Sequence, residues 1–179
     1  MKTTQILIAG FVGQGILFAG KFLAYKGLNE DLQVSWLPSY GPEMRGGTAN
    51  CNVILSESPV GSPIITAPDV LIAMNLPSLQ KYVDSVVSGG QIYVDSSLID
   101  VKVDRTDVQV FYIPATQMAK DANIPTLANM IITGHLLENH PELSFDGTDA
   151  VVSKLVPPSK ATLVELNMKA LQLGKEYKQ

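Results

Sequence analysis

The chain has 179 residues, of which 46% are hydrophobic, and a formal net charge of -4 at pH 7; this length and composition predict one domain with a full core over residues 1–179. The acidic balance argues against nucleic-acid binding, which requires a basic surface, and the longest apolar runs fall far short of the roughly 20 residues that span a membrane. A single cysteine excludes an internal disulfide and an iron–sulfur site within this chain. The first apolar run is short and ends at Gly10, which favours a buried strand over a signal peptide, so we expect a cytoplasmic protein.

The amino-terminal half alternates between strand and helix patterns. The apolar run from Gln5 to Gly10 predicts a buried parallel strand, and a helix is expected from about Gly13 to Asn29. Residues expected on the buried stripe of that helix are Ile16, Leu17, Phe18, Phe22, Leu23 and Leu28. Residues 32–37 alternate and predict a second strand that ends at Pro38. Residues 49–55 alternate again, with Cys51, Val53 and Leu55 on one face.

The middle of the chain continues the alternation. A breaker-rich loop covers residues 58–63, and the apolar run 69–74 predicts a buried strand that leads through Pro77 into a helix near residues 78–87. Further strands are expected at 91–95 and 108–113.

The last third has helical spacing. Helices are predicted over residues 115–121 and 127–139, and Ser159 is a candidate N-cap for a final helix. The apolar side of that helix would carry Leu163, Leu166, Ala170 and Leu173. The whole pattern predicts a three-layer α/β domain with a mostly parallel, Rossmann-like sheet, helices on both faces and a helical carboxyl-terminal third. The strands on either side of residues 40–47 could pair antiparallel.

The segment between those two strands is the most distinctive in the chain. It reads Tyr40, Gly41, Pro42, Glu43, Met44, Arg45, Gly46, Gly47. Arginine offers a planar five-donor fork suited to a carboxylate or phosphate, and Tyr, Met and Arg are enriched at protein interfaces. The alternative is a wide turn with solvated charges.

A second glycine-rich turn, residues 10–15, follows the first strand, where a dinucleotide fingerprint would lie. Val12 occupies the position of the glycine that approaches a pyrophosphate, which disfavours a nicotinamide or flavin site. Gly13, Gln14 and Gly15 could still bind another anion at the helix N-terminus. They could equally form a tight packing turn.

Polar residues follow three of the predicted strands. Asn75, residues 95–97 (Asp95, Ser96 and Ser97) and residues 114–116 would lie at the carboxyl edge, where open α/β sheets bind ligands. Capping of the following helices is the competing interpretation, and we favour it slightly.

Other polar side chains are interpreted as structural residues more than as catalytic or metal-binding ones. His135 and His140 lack an acid at metal-ligand spacing and are interpreted as satisfied or exposed histidines, and Cys51 as a buried structural thiol. Asn129 and Asn167 would contact another subunit or be satisfied internally.

Taken together, these segments resemble the gamma subunit of 2-oxoacid:ferredoxin oxidoreductases over nearly the whole chain. The matching segments are 13–15, 39–47, Cys51, 62–63, 68–69, 74–75, 89–90, 94–97, 113–115, 128–130, 160–161 and 165–170. Segment 40–47 is the most specific of them, and Val12 departs from the family's Gly-x-Gly-Gly-Gln-Gly turn.

The resemblance implies a multi-subunit oxidoreductase of anaerobic metabolism. It would oxidatively decarboxylate a 2-oxoacid to an acyl-CoA while reducing ferredoxin. Thiamine diphosphate, Mg²⁺, [4Fe–4S] clusters and coenzyme A would be held mainly by alpha, beta and delta-type partner subunits. This chain would bind no cofactor alone, have no catalytic residues and be inert alone, with ferredoxin as an indirect partner. Whether the isolated chain forms a homodimer stays open.

Two alternatives stay open from the sequence. One is a free-standing domain that binds a phosphate-bearing nucleotide at Gly13 to Gly15. The other is the beta subunit of indolepyruvate oxidoreductases, which shares the glycine turn and the Arg-Gly-Gly loop but tends to diverge in the carboxyl third.

Overall fold

The computed structural model describes residues 2–39 and 48–179, so the distinctive segment 40–47 lies outside the described residues. Within them the strands are β1 (Thr3–Phe11), β2 (Gln33–Ser39), β3 (Thr48–Ser56), β4 (Val70–Ala73), β5 (Gln91–Asp95) and β6 (Gln109–Ile113). The helices are α1 (Ile16–Asn29), α2 (Leu76–Tyr82), α3 (Ala115–Asp121), α4 (Ala128–Asn139), α5 (Thr148–Leu155) and α6 (Thr162–Glu176).

The strands form one sheet in the order β2-β3-β1-β4-β5-β6. The pairs β1–β4, β4–β5 and β5–β6 are parallel, whereas β2–β3 and β1–β3 are antiparallel. The mostly parallel α/β sheet is therefore confirmed. The antiparallel part extends beyond the β2–β3 pair, because β1 pairs antiparallel with β3 and parallel with β4.

Helices cover both faces of the sheet because successive side chains of its strands point to opposite sides. Ile6 and Ile8 of β1 belong to the larger core, which packs against α1, α3, α4, α5 and α6. Leu7, between them, belongs to the smaller core on the α2 face. Among the described helices, none is both long and apolar enough to cross a membrane.

Three boundaries near the sheet differ from the sequence prediction. Helix α1 begins at Ile16, not Gly13, because Gly13 (φ 98°) and Gly15 (φ 74°) have left-handed backbone. Leu28 is 54% exposed and does not belong to the buried stripe. Pro38 lies inside β2, which an edge strand tolerates because one of its sides needs no ladder donors.

The helical third also differs in detail. Helix α5 was not predicted, although its eight residues make it one residue longer than α3. Ser159 lies in a short 3-10 turn, and Ala161 occupies the N-cap of α6. Leu166 is 37% exposed, so it is not part of the buried side of α6.

Candidate functional site

The candidate site lies where β1 and β4 end side by side. Ala9 pairs with Ala73 at the end of the parallel ladder, and the Met74 N–H donates to the Ala9 carbonyl at 2.9 Å. The glycine turn therefore lies beside Asn75, which follows β4. This carboxyl edge is where ligands of open α/β sheets bind.

Helix α1 begins directly after the turn, and no side chain among the described residues caps its N-terminus. Gly15 is the N-cap residue, and the first turn carries no acidic side chain. The first N–H groups of a helix have no partner within the helix, and the helix dipole favours negative charge near them. The predicted anion-binding role of Gly13, Gln14 and Gly15 is chemically compatible with this arrangement and stays a prediction.

Asn129 of α4 contacts the turn through its side chain. Its side-chain amide donates to the Gly15 carbonyl at 3.0 Å. A Cβ on Gly15 would come within 2.8 Å of the Asn129 side-chain carbon Cγ, so only glycine fits there. Asn129 is 3% exposed, and its Oδ1 has no hydrogen-bond partner among the described residues. The internal contact predicted for Asn129 is therefore present for its Nδ2, and the contact across a subunit interface stays a prediction.

A pocket of about 350 Å³ opens beside the turn. It is lined by Phe11, Val12, Gly13, Gly15, Ile16, Leu17, Phe18 and Ala49. Phe11 is 42% and Val12 61% exposed, so the rim of the pocket is apolar. A ligand here would meet apolar walls and the first backbone N–H groups of α1.

The polar residues at the strand ends serve the backbone. Asn75 Oδ1 accepts a hydrogen bond from the Ser78 N–H at 2.9 Å and caps α2. Asp95 is fully buried; it accepts from the Thr116 hydroxyl at 2.6 Å and from the Ser97 N–H at 3.1 Å. The capping interpretation is confirmed for Asn75. The element that follows Asp95 is β6, and the Asp95 carboxylate instead bonds a turn N–H and the side chain of Thr116 at the start of α3. A role of Asn75, Asp95 and Ser96 in a ligand cleft stays a prediction.

The remaining candidate side chains lie in the core. Burial raises the pKa of the Cys51 thiol to about 12, which fits the expected structural thiol. His135 Nδ1 lies 3.0 Å from the Gly174 carbonyl, and desolvation lowers the pKa of His135. Asn167 donates to the Leu163 carbonyl at 2.8 Å. Across the ranges 2–39 and 48–179, no cluster of three His, Cys, Asp or Glu side chains could hold a metal ion.

One residue has a role that the sequence analysis did not anticipate. The Gln14 side chain bonds to both strands at this edge: its Oε1 accepts from the Phe11 N–H at 2.6 Å, and its Nε2 donates to the Met74 carbonyl at 3.0 Å. A glutamine among turn glycines is the only local signal of this role, and the partner on β4 is 60 positions away.

Comparison with known proteins gives one family over almost all of the chain. The family model described as pyruvate ferredoxin/flavodoxin oxidoreductase matches residues 5–177. Ketoisovalerate oxidoreductase subunit VorA of Methanothermobacter thermautotrophicus is 35% identical over 97% of this chain, but the chain spans only 36% of that relative's length. The 2-oxoglutarate synthase subunit KorC of Methanothermobacter marburgensis is 33% identical, with 96% of this chain and 95% of the relative covered.

Two solved structures share the fold. The gamma subunit of a keto/oxoacid ferredoxin oxidoreductase from Geobacter sulfurreducens is 30% identical with a TM-score of 0.81, covering 97% of this chain and 96% of that one. The 2-oxoglutarate:ferredoxin oxidoreductase from Magnetococcus marinus, solved with 2-oxoglutarate, coenzyme A and succinyl-CoA, is 26% identical with a TM-score of 0.86. It covers 98% of this chain, which spans 31% of that longer chain.

Proposed function

Because the chain belongs to the pyruvate ferredoxin/flavodoxin oxidoreductase family, we propose that it is the gamma-type accessory subunit of a 2-oxoacid:ferredoxin oxidoreductase. The complete enzyme would decarboxylate a 2-oxoacid oxidatively, transfer the acyl group to coenzyme A and reduce ferredoxin. Its reactive centre would lie on partner chains, and this subunit would be inert alone. The cytoplasm is the proposed compartment.

The observation that carries this proposal is the match to separate gamma-type chains from end to end. This chain covers at least 95% of the length of both the KorC relative and the Geobacter gamma subunit. In the VorA relative and the Magnetococcus enzyme, the matching region is about a third of a longer chain. A domain that occurs both free and fused is expected to work beside the rest of the enzyme.

The residues of this chain do not fit an iron–sulfur cluster. Such clusters are held by several cysteine thiolates, and the single cysteine of this chain is fully buried. We therefore assign the [4Fe–4S] clusters to partner subunits of the alpha, beta and delta types. We assign thiamine diphosphate and Mg²⁺ to those subunits as well, because this sequence has no Gly-Asp-Gly diphosphate motif. Ferredoxin would then contact this chain only indirectly.

Coenzyme A is the ligand that the carboxyl edge suits best. Its phosphates match the free N–H groups at the start of α1, and its pantetheine arm, which has both amide and apolar groups, matches the walls of the pocket. Residues 40–47, which connect β2 to β3, would add Arg45 as an anchor for coenzyme A phosphate or for a carboxylate on a neighbouring subunit. The Magnetococcus enzyme, solved with coenzyme A bound, supports this choice.

The substrate is proposed as 2-oxoglutarate or a branched-chain 2-oxoacid. The named relatives act in 2-oxoglutarate synthase and ketoisovalerate oxidoreductase. Comparing turnover of the assembled complex with 2-oxoglutarate, ketoisovalerate and pyruvate would discriminate among them. Pyruvate as the best substrate would contradict this choice.

The subunit proposal is tested by affinity purification of the tagged chain from its own cells. Mass spectrometry should identify partners that carry thiamine and cluster motifs, and the complex should reduce ferredoxin only when a 2-oxoacid and coenzyme A are both present. The purified single chain is the control and should show no turnover. A solitary monomer, or 2-oxoacid oxidation by the single chain, would refute the proposal. Tight nucleotide binding by that monomer would favour a free-standing binding module.

The role of Arg45 is tested by comparing Arg45→Ala with Arg45→Lys. Loss of a charge-assisted bidentate contact costs about 1.5–3 kcal/mol, so Arg45→Ala should weaken subunit assembly or coenzyme A binding by at least about tenfold. Lysine keeps the charge but loses the planar fork and should recover only part of the loss. If Arg45→Ala leaves both assembly and coenzyme A affinity unchanged, the anchor role is wrong.

A further inference from the structure

We infer that Gln14 is a positioning residue for the carboxyl-edge pocket, because its side-chain amide takes the place of a backbone contact between β1 and β4. The inference rests on the proposed function, which makes this edge the binding site for the acyl acceptor. It assigns a specific task to one side chain of the glycine turn.

The hydrogen bonds of the parallel ladder show what Gln14 replaces. The last regular bond runs from the Met74 N–H to the Ala9 carbonyl. In a regular parallel ladder, the next bond would join the Phe11 N–H to the Met74 carbonyl. Instead, Gln14 Oε1 accepts from the Phe11 N–H, and Gln14 Nε2 donates to the Met74 carbonyl. The amide is thus inserted between two backbone groups that would otherwise pair with each other.

This insertion separates the two strand ends and fixes the turn. The Gln14 N–H also donates to the Phe11 carbonyl at 3.1 Å, so Gln14 holds Phe11 through both its backbone and its side chain. Residues 11–13 and 15 line the pocket beside the turn. The position of these walls therefore depends on the amide of Gln14.

Gly10 provides the space that the amide needs. A Cβ on Gly10 would lie 2.5 Å from Gln14 Oε1 and 2.8 Å from the Ile16 side chain. On its other side, β1 keeps its regular pairing with β3 through Gly10 and Phe11.

The insertion requires one donor and one acceptor on the same side chain, at the reach of a glutamine. Gln14→Glu keeps the size and the acceptor but removes the donor, and it places a carboxylate oxygen against the Met74 carbonyl oxygen. Gln14→Met keeps the volume and removes both groups. Gln80 is exposed on α2, so Gln80→Glu introduces the same charge away from the turn and is the matched control.

The first experiment measures amide hydrogen exchange in the full chain. Within residues 11–15, the Phe11 and Gln14 N–H groups donate hydrogen bonds. In both Gln14 variants, these two amides should exchange about tenfold faster than in the wild type, whereas β5 and β6 should keep their protection. A protonated carboxyl has one donor and one acceptor. The Gln14→Glu defect, measured relative to wild type at each pH, should therefore shrink as the pH falls towards about 4, the range where glutamic acid titrates. Gln14→Met and Gln80→Glu should show no such recovery.

The second experiment measures kinetics of the complete complex. Both Gln14 variants should raise the KM for coenzyme A by about tenfold while kcat changes by less than about threefold, with melting temperatures close to that of Gln80→Glu. Unchanged exchange at residues 11–15, or a KM equal to that of the control, would overturn the inference. If kcat and the melting temperature fall together with the rise in KM, the inference is also overturned. These changes together would indicate a purely structural role.

The proposed function and this inference fail in different ways. If the wild-type complex shows no coenzyme A-dependent turnover, the proposed function is wrong. If the wild type is active and the Gln14 variants match Gln80→Glu, the positioning role alone is wrong.

Discussion

The contact between α4 and α6 gives the sharpest stability prediction. The two helices cross at Gly134 and Gly174, where a Cβ on either glycine would meet the backbone of the other helix. On Gly174 it would clash with the Ile131 carbonyl and lie 2.8 Å from the His135 backbone nitrogen. Because neither obstacle is a movable side chain, Gly174→Ala must push the helices apart.

The expected cost follows from two opposing effects. Overpacking a core costs about 3 kcal/mol at the upper end of the usual range, and alanine recovers about 1 kcal/mol of helix propensity. The net loss is about 2 kcal/mol, which corresponds to a fall of roughly 4–8 °C in melting temperature for a chain of this size. The hydrogen bond between His135 and the Gly174 carbonyl should weaken as well.

The assay is urea unfolding of Gly174→Ala beside Gly61→Ala. A Cβ on Gly61 meets no atom within 4 Å, so this control should change the free energy of unfolding by no more than about 0.5 kcal/mol. If Gly174→Ala unfolds at the same urea concentration as Gly61→Ala, the close crossing of the two helices is wrong.

Three further predictions concern buried polar groups. With burial holding the pKa of Cys51 at about 12, a thiol reagent should label it only at the rate of unfolding; rapid stoichiometric labelling of the native chain would contradict this. Asp95→Ala should lower the free energy of unfolding by about 1–3 kcal/mol by freeing the Thr116 hydroxyl, with the KM for coenzyme A unchanged; a raised KM at unchanged stability would favour a ligand role. Burial lowers the pKa of His135, so the unfolded chain binds a proton that the folded chain does not. Stability should therefore be complete above about pH 6.5 and fall below it. His135→Gln should reduce this loss of stability at low pH. Part of the loss should remain, because the pKa of His140 is also lowered. An unchanged dependence of stability on pH would contradict the assignment.

The sheet could be predicted because its strands have strong local patterns. The predicted bounds of β5 and α3, residues 91–95 and 115–121, are those of the structure. The start of α1 was missed because a glycine turn gives no local sign of where left-handed backbone ends. Pro38 was misread because its tolerance depends on β2 lying at the edge of the sheet, and strand order is not encoded within the strand.

The site could be predicted only in part, for a related reason. The carboxyl edge follows from the order of elements, and Asp95 and Asn75 are found there as expected. The capping role of Asn75 is local, because Ser78 follows it by three positions, whereas the contact of Asp95 with Thr116 joins residues 21 positions apart. The contact of Gln14 with Met74 and that of Asn129 with Gly15 join residues 60 and 114 positions apart. No local pattern could reveal these contacts, since they depend on how the strands and helices assemble.

The side chain of Val12 determines which ligand groups can bind at the rim of the turn. The non-glycine residues with positive φ in the described parts of the chain are Asp31 and Asn123, so the backbone at position 12 accepts valine without strain. The consequence of its side chain is therefore confined to the surface, where it stands 61% exposed beside Phe11. A phosphate placed against this apolar rim would lose hydration without gaining a donor, whereas an apolar group would gain about 25 cal/mol per Å² buried. An anion bound at this turn must therefore sit on the α1 side, at the N–H groups that follow Gly15, and the rim is left for an apolar contact.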